Sequence, residues 1–408
     1  MRYLRMVIGV LVLLAGGYAI APAQQAITLV ESVPVETTLG DSATVRTVDA
    51  WLDMIGGARR YINIEQFYLS VKPGTQLQKV IDALVAAAQR GVRIRWIADG
   101  KFYKIYPTML DSLNQLSNIE VRIIRTYNQM GGVQHAKFFV VDGKEVFVGS
   151  QNFDWRALEH IHELGVRIRS PQLARLVEQI FEIDWHLAGG QLLKDVLRQP
   201  SISGELITPQ NPLYLTFQGE PVTLYPSFSP KGYFPRGLLS DEAAILQLLA
   251  TAKNKVVIQL LSYNPQHNKK YYATLEVALR QAAARGVTIQ LLVSNWNKRK
   301  PGISYLKSLQ VLPNISVRFT NLPQWSGGFI PFARVEHCKF MVVDDSITFI
   351  STANWAHSYF YASRNWGITL HSPAIARIVT RIFYRSWDSA YAEPVKPCET
   401  YQPPRISQ

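Results

Sequence analysis

The 408-residue chain has only two cysteines, Cys338 and Cys398. That is too few for a disulfide framework, and their spacing matches no zinc site. Acidic side chains are also scarce. Asp and Glu number 30 against 43 Lys and Arg, a formal charge of +13. The imbalance points to an anionic partner without naming it. Charged residues make up 18% and hydrophobic residues 48%, with Gly and Pro at 25 and 22. Disordered, collagen-like and low-complexity classes are excluded by those values. What remains is a globular chain long enough for two or three domains, each with a real core.

Long apolar runs are missing as well, apart from one at the start. Arg2 and Arg5 precede an apolar stretch from Met6 to Ala21, closed by Ala21-Pro22-Ala23. A basic start, a short apolar segment and a small-x-small site are the parts of an export signal. The run is short for a membrane span, which takes about 20 residues. Residues 1–23 therefore read as a signal peptide cleaved after Ala23, with an uncleaved signal anchor as the alternative. No Cys follows the site to carry a lipid. Loss of the segment removes two arginines and no acids, leaving +11. The expectation is an exported product, periplasmic or secreted.

The rest of the chain is a duplication. YINIEQFYL (61–69), a helical pattern from Leu77 to Arg90 and RGVRIRWIADG (90–100) form one strand–helix–strand unit. KVVIQLLSYNP (255–265), a helical pattern from Tyr272 to Arg285 and RGVTIQLLVSNW (285–296) form another. Gly91 and Gly286 end the two helices as C′ glycines would. NIEVRII (118–124) then returns as NISVRFT (314–320), and QHAKFFVVDGKEVFVGSQN (134–152) as EHCKFMVVDDSITFISTAN (336–354). Ile180, Phe181 and Trp185 return as Ile382, Phe383 and Trp387. Chance does not keep five blocks in order. The spacing predicts two α/β sandwich halves, residues 27–200 and 213–396, followed by a tail at 397–408. Extra residues in the second half fall in LPQWSGGFIPFAR (322–334).

Each half carries His-x-Lys-x4-Asp and then a small-polar stretch ending in Asn. The sets are His135, Lys137, Asp142, Ser150 and Asn152, and His337, Lys339, Asp344, Thr352 and Asn354. On a strand, positions i and i+2 share a face, so each His stands beside its Lys. Asp142-Gly143 is a hairpin dipeptide, and the returning strand brings Asn152 back to the pair. Two such sets facing each other suit a phosphodiester. Lys and Asn hold non-bridging oxygens, one His attacks phosphorus, and the other protonates the leaving oxygen. The ammonium groups supply the positive charge, so no metal or other cofactor is required. Asp142 and Asp344 complete the motif, but a structural role at a strand end is the stronger reading for the two aspartates alone.

Two copies of HxKx4D with a trailing small-polar-x-Asn resemble the phospholipase D superfamily. GSQNFDWRAL (149–158), HELGV (162–166), IPFARVEHCKFMV (330–342) and ANWAHSYF (353–360) are similar to the branch of animal phospholipase D types three and four. The resemblance implies a pseudo-twofold phospholipase D fold with one site at the interface and a covalent phosphohistidine. Its members are associated with 5′ exonuclease action on single-stranded nucleic acid and with phosphatidyl transfer. Two departures stand out. The usual Gly is Ser351 in the second half. The Glu that orients the catalytic imidazole in the family is Glu163 in the first half, but Asn365 takes its place in the second. A carboxylate behind an imidazole fixes its tautomer and stabilises the cation. On that asymmetry His135 is expected to be the nucleophile and His337 the general acid.

Other features weigh less. His160 and His162 superficially resemble metal ligands but lack a partner cluster, so no metal is assigned. Cys338 should face the core. Lys101, Lys104, Lys269, Lys270, Lys298, Arg299 and Lys300 lie on loops expected to rim the site. Phe102, Tyr103, Tyr106, Tyr271, Tyr272 and Trp296 are interleaved with them, as a single-stranded substrate would need. The apolar loop 325–332 can instead touch a bilayer, which would favour a phospholipid, or pack as a lid or at a dimer contact. No obligatory protein partner is expected. A non-catalytic binding protein is disfavoured because both motifs are complete.

Overall fold

The computed structural model describes residues 26–198 and 206–407. The expected signal segment, 1–23, lies outside the described residues. No helix among the described residues is long and apolar enough to cross a membrane.

Each half is built on a mixed sheet. In the first, Tyr61–Gln66, Arg93–Asp99 and Ile119–Ile124 run parallel. Phe138–Val141, Glu145–Gly149, Ile161–Arg169 and Ile27–Ser32 continue the sheet in antiparallel fashion. The second sheet repeats the order with Lys255–Leu260, Thr288–Ser294 and Ile315–Thr320 on the parallel side. Phe340–Val343, Ile347–Ser351, Asn365–His371 and Glu220–Ser229 form its antiparallel side.

The crossover helices follow from their patterns. Gln76–Gln89 buries Leu77, Val80, Ile81, Leu84, Ala87 and Ala88, a single stripe at helical spacing. Thr274–Ala284 does the same with Leu275, Leu279, Ala282 and Ala283. Gly91 and Gly286 take left-handed conformations, at φ 89° and 94°. Val92 N–H then donates to Ala87 O and Val287 N–H to Ala282 O, each at 3.1 Å, closing the two helices alike.

Two longer helices, Pro171–Ala188 and Pro373–Trp387, are capped by Ser170 and Ser372 with proline in the first turn. They carry the repeated Ile-Phe-Trp sets into a central core that includes Val140, Val148, Val342 and Ile350 from the two sheets. Separate outer cores lie beneath the crossover helices of each half. The halves are thus joined through a shared apolar interior.

The sheets also exchange backbone. Val335–Glu336 pairs in parallel with Ile161 and His162 of the first half. In return Gln134 bridges to Arg364 of the second. His337 N–H donates to His162 O at 2.9 Å, and His135 N–H to Arg364 O at 3.0 Å. These reciprocal bonds express the pseudo-twofold relation, and they set both His-x-Lys motifs on the seam.

Candidate active site

The seam gathers two imidazoles, two ammonium groups and two amides. His135, Lys137, His337 and Lys339 are all buried, as are Asn152 and Asn354. Each Lys Nζ donates to the carbonyl of its own His, at 2.5 Å for Lys137 and 2.6 Å for Lys339. The amide oxygens of Asn152 and Asn354 have no partner among the described residues. The Asn354 side chain is hydrogen-bonded to Tyr359, which holds that amide beside the His135 box.

The orienting groups cross between halves, and this corrects the sequence expectation. Glu163 does not stand behind His135. Its carboxylate meets His337 Nδ1 at 2.7 Å. Asn365 stands behind His135, with Oδ1 2.9 Å from Nδ1. Glu163 and Asn365 each directly follow the residue, His162 or Arg364, whose carbonyl accepts from the other half's histidine N–H, so the exchange of backbone carries the exchange of side chains. Asn365 Nδ2 donates to Tyr359 O at 2.8 Å, which fixes Oδ1 toward the imidazole. His135 must then donate from Nδ1, leaving Nε2 for chemistry.

The electrostatics follow from four basic groups sharing one buried space. Burial pushes His337 well below its usual range, helped by Lys339, Lys137 and His135. His135 is depressed likewise by burial and both lysines. Lys137 is lowered by burial and by Lys339. Lys339 is pushed down to about 8 by burial, with Glu163 opposing. Burial raises the Glu163 carboxyl, and the two lysines partly offset that rise. A bound anion would relieve every depressed base at once.

Two rings missed by sequence reasoning flank His135. Phe67 lies 5.0 Å from the imidazole and Tyr359 lies 4.8 Å from it, both edge-on. Tyr359 corresponds in the repeat to Ala157, so this box belongs to one histidine only. The side chains behind the site also went unread. His162 is held between Glu31 at 2.9 Å and Glu336 at 2.7 Å, fully buried. Those carboxylates outweigh burial and push its pKa up to about 10. At the corresponding place in the repeat, Arg364 is paired with Asp184. Charge complementarity across a seam has no spacing signature, which is why neither pair was legible.

Several expected site residues have other work. Asp142 accepts from the backbone N–H groups of Arg59, Arg60 and Tyr61 at 2.8–2.9 Å. Asp344 accepts from those of Lys253, Asn254 and Lys255 over the same range. Both lie beyond the four-residue strand from their His–Lys pair, at its far end, and there they staple the loop. The hydroxyls of Ser150 and Thr352 are engaged within the protein. Ser150 Oγ accepts from Leu164 N–H at 3.1 Å, and Thr352 Oγ1 donates to Asn365 Oδ1 at 3.1 Å. They brace the strands that carry Glu163 and Asn365.

The rim is only partly free. Lys298 pairs with Glu393, and Arg299 donates to Pro404 O at 3.2 Å. Lys101, Lys104, Lys269 and Lys270 are exposed. The 325–332 loop is a strap. Ser326 N–H donates to Glu36 at 2.9 Å, Arg156 holds Pro331 O at 2.9 Å, and Trp325 lies 5.1 Å from His160. The tail covers its other side, with Ile406 O accepting from Phe332 N–H at 2.8 Å. Of its apolar side chains only Phe332 is exposed, and at 46% only about half of it, which leaves part of one ring for a bilayer. His162, Glu336 and Cys338 present ligand-type atoms within 4.8 Å of one another. Both nitrogens of His162 are already engaged by carboxylates. Cys338 is buried and Cys398 exposed, and both are free thiols.

The seam site, made of two HxKx4D motifs on duplicated sheets, defines a phosphodiesterase class. The Cardiolipin synthase, PLD-like domain family matches residues 51–185 and 245–387. The chain therefore belongs to the phospholipase D superfamily, in the type three and type four branch. It is 30% identical over 393 residues to "Probable phospholipase D F09G2.8" of Caenorhabditis elegans, covering 90% of this chain and 70% of that one. It is 29% identical over 402 residues to "5'-3' exonuclease PLD4" of Mus musculus, covering 89% and 78%. The fold is similar to the phosphatidylserine synthase structure from Haemophilus influenzae Rd KW20, with TM-score 0.65, 14% identity and coverage of 92% and 89%.

Proposed function

We propose that this protein is an exported phosphodiesterase that cleaves single-stranded nucleic acid from an end, after removal of residues 1–23. The observation that carries the chemistry is the meeting of His135, Lys137, His337 and Lys339 in one buried space with a single carboxylate, Glu163, behind one imidazole. Such a space is unfavourable when empty of anions and is suited to a phosphodiester. The nucleic-acid reading is supported by exposed lysines near aromatic rings at the rim and by the exonuclease names of similar proteins.

The crossed partners exchange the roles expected from sequence. His337 is the nucleophile, because Glu163 fixes its tautomer and stabilises its cationic adduct. Its Nε2 attacks phosphorus as the bond to the leaving oxygen breaks. His135 gives that oxygen a proton. Water then attacks phosphorus, its proton passes to His135, and the phosphorus–nitrogen bond breaks to free His337 and a phosphomonoester. Lys137, Lys339, Asn152 and Asn354 hold the non-bridging oxygens throughout. The ammonium groups do what a metal would do, so the reaction proceeds in EDTA.

Head-group cleavage of phospholipid is the competing reading, favoured by the name of the nematode relative. The deciding experiment offers the purified protein an end-labelled single strand and phosphatidylglycerol vesicles side by side, with EDTA present. Release of labelled nucleotide, falling steeply with added salt, is the expected result. Cleavage of the lipid alone would overturn the nucleic-acid reading.

A further inference from the structure

A row of rings leads outward from His135. Phe67 packs 5.0 Å from the imidazole, and Phe102 lies 4.0 Å beyond it. Tyr68 stacks on Phe102 at 5.3 Å and 22°, and Tyr106 stacks on Tyr68 at the same distance and angle. All four rings are half-buried, each keeping some surface in solvent. Lys101 and Lys104 stand exposed on the same turn, and Lys137 Nζ sits 5.1 Å over the Phe67 ring.

The row is held rigidly. Asp99 accepts from the backbone N–H groups of Lys101 and Phe102 at 2.9 and 3.1 Å, which fixes the turn. Its other oxygen accepts from Gln134 N–H at 2.8 Å, one residue before His135. One buried carboxylate thus ties the ring-bearing turn to the catalytic strand. Tyr68 is pinned separately, its hydroxyl donating to Asp154 at 2.8 Å. Rings packed only for stability need neither flanking lysines nor solvent-facing surface at the carboxyl ends of strands, where ligands of such sheets sit.

We infer that Phe102 and Tyr106, with Tyr68 between them, form a stacking ledge for the nucleobases of a single strand on the leaving-group side of the site. The inference rests on the nucleic-acid reading above and on the place of His135 as proton donor. Bases lie against rings without regard to sequence, while Lys101 and Lys104 follow the phosphates. A strand anchored there enters with its scissile phosphodiester between the two imidazoles. The part released with the proton from His135 remains on the ledge for the next cycle.

The test compares kcat/KM for a single-stranded oligonucleotide with that for bis(4-nitrophenyl) phosphate, which is too small to reach the ledge. In Phe102→Ala and Tyr106→Ala the oligonucleotide-to-diester ratio should fall about tenfold or more for each ring. Tyr106→Phe should restore the ratio, because it keeps the ring. Phe102→Leu keeps apolar bulk for folding but should still lower the ratio. An unchanged ratio in the alanine variants overturns the ledge while oligonucleotide cleavage by the unaltered protein upholds the nucleic-acid reading. Failure of the unaltered protein to cleave the oligonucleotide overturns both.

Discussion

His337 Nδ1 lies 2.7 Å from the carboxylate of Glu163, a residue 174 positions earlier that belongs to the other half. Each half therefore completes the other's histidine, and neither half alone holds a finished site. The proposed roles of the two histidines rest on which one the carboxylate reaches.

The first prediction is that a denaturing quench at alkaline pH during turnover, where the phosphorus–nitrogen bond survives, traps the phosphoryl-linked nucleotide on His337. Glu163→Gln keeps the shape but removes the charge that supports the cationic adduct. Its kcat should fall by about 10²- to 10⁴-fold, as when a triad carboxylate becomes an amide. Phosphopeptide mapping decides the assignment: label on His135 in the unaltered protein would reverse the two roles.

A second prediction concerns pH. In the free protein His337 must be neutral and His135 protonated. Burial and the two lysines hold both imidazoles below their ordinary value of 6.5. The profile of kcat/KM should be a bell with its optimum on the acid side of that value. The acid limb reports loss of the His337 lone pair, and the alkaline limb loss of the His135 proton. Lys339, pushed down to about 8, deepens the fall above that pH. An optimum above pH 8 would contradict this account.

Much of the site was legible because duplication writes each reagent twice. His135 and His337, Lys137 and Lys339, and Asn152 and Asn354 all reach the seam. Strand alternation and the Asp142-Gly143 turn were legible for the same local reason, both turn residues having positive φ. The pairing of Glu163 with His337 was not legible. Position in the repeat places Glu163 after His135, but the sheets trade strand ends, and a trade between halves leaves no trace in spacing. For the aspartates the sequence favoured a structural role at a strand end. Their place in the motif suggests chemistry, while three backbone N–H groups at a left-handed turn explain them.

That explanation gives a third prediction. Asp142→Ala and Asp344→Ala each leave three backbone donors without a charged acceptor. Each should cost about 2–4 kcal/mol of stability, read from denaturant midpoints, with kcat of the folded fraction within a few-fold. Both carboxyls are held below their usual range by those N–H groups, despite burial. Their contribution is present above the unfolded carboxylate pKa and is lost as pH falls through the lower folded value. A hundredfold drop in kcat with unchanged stability would return them to the catalytic set.

The last prediction separates the two buried cations behind the site. Arg364 meets Asp184 through two bonds, at 2.6 and 2.8 Å, inside the core. Arg364→Met alone strands a buried carboxylate and should cost about 3–5 kcal/mol. Adding Asp184→Leu should recover only part of that loss, because the Tyr127 hydroxyl and the Ser229 and Tyr233 carbonyls then lack their buried partners. His162 behaves differently, since it can lose its proton. Its folded pKa stands at about 10, far above the unfolded 6.5, through Glu336 and Glu31. The stability it adds is fully present below pH 6.5 and is lost as pH rises toward 10. In His162→Gln the slope of stability against pH should flatten across that window, while Arg364→Met keeps the slope of the unaltered protein. Unfolding curves at pH 6, 8 and 10 measure both, and equal slopes in all three proteins would show that His162 is uncharged in the fold.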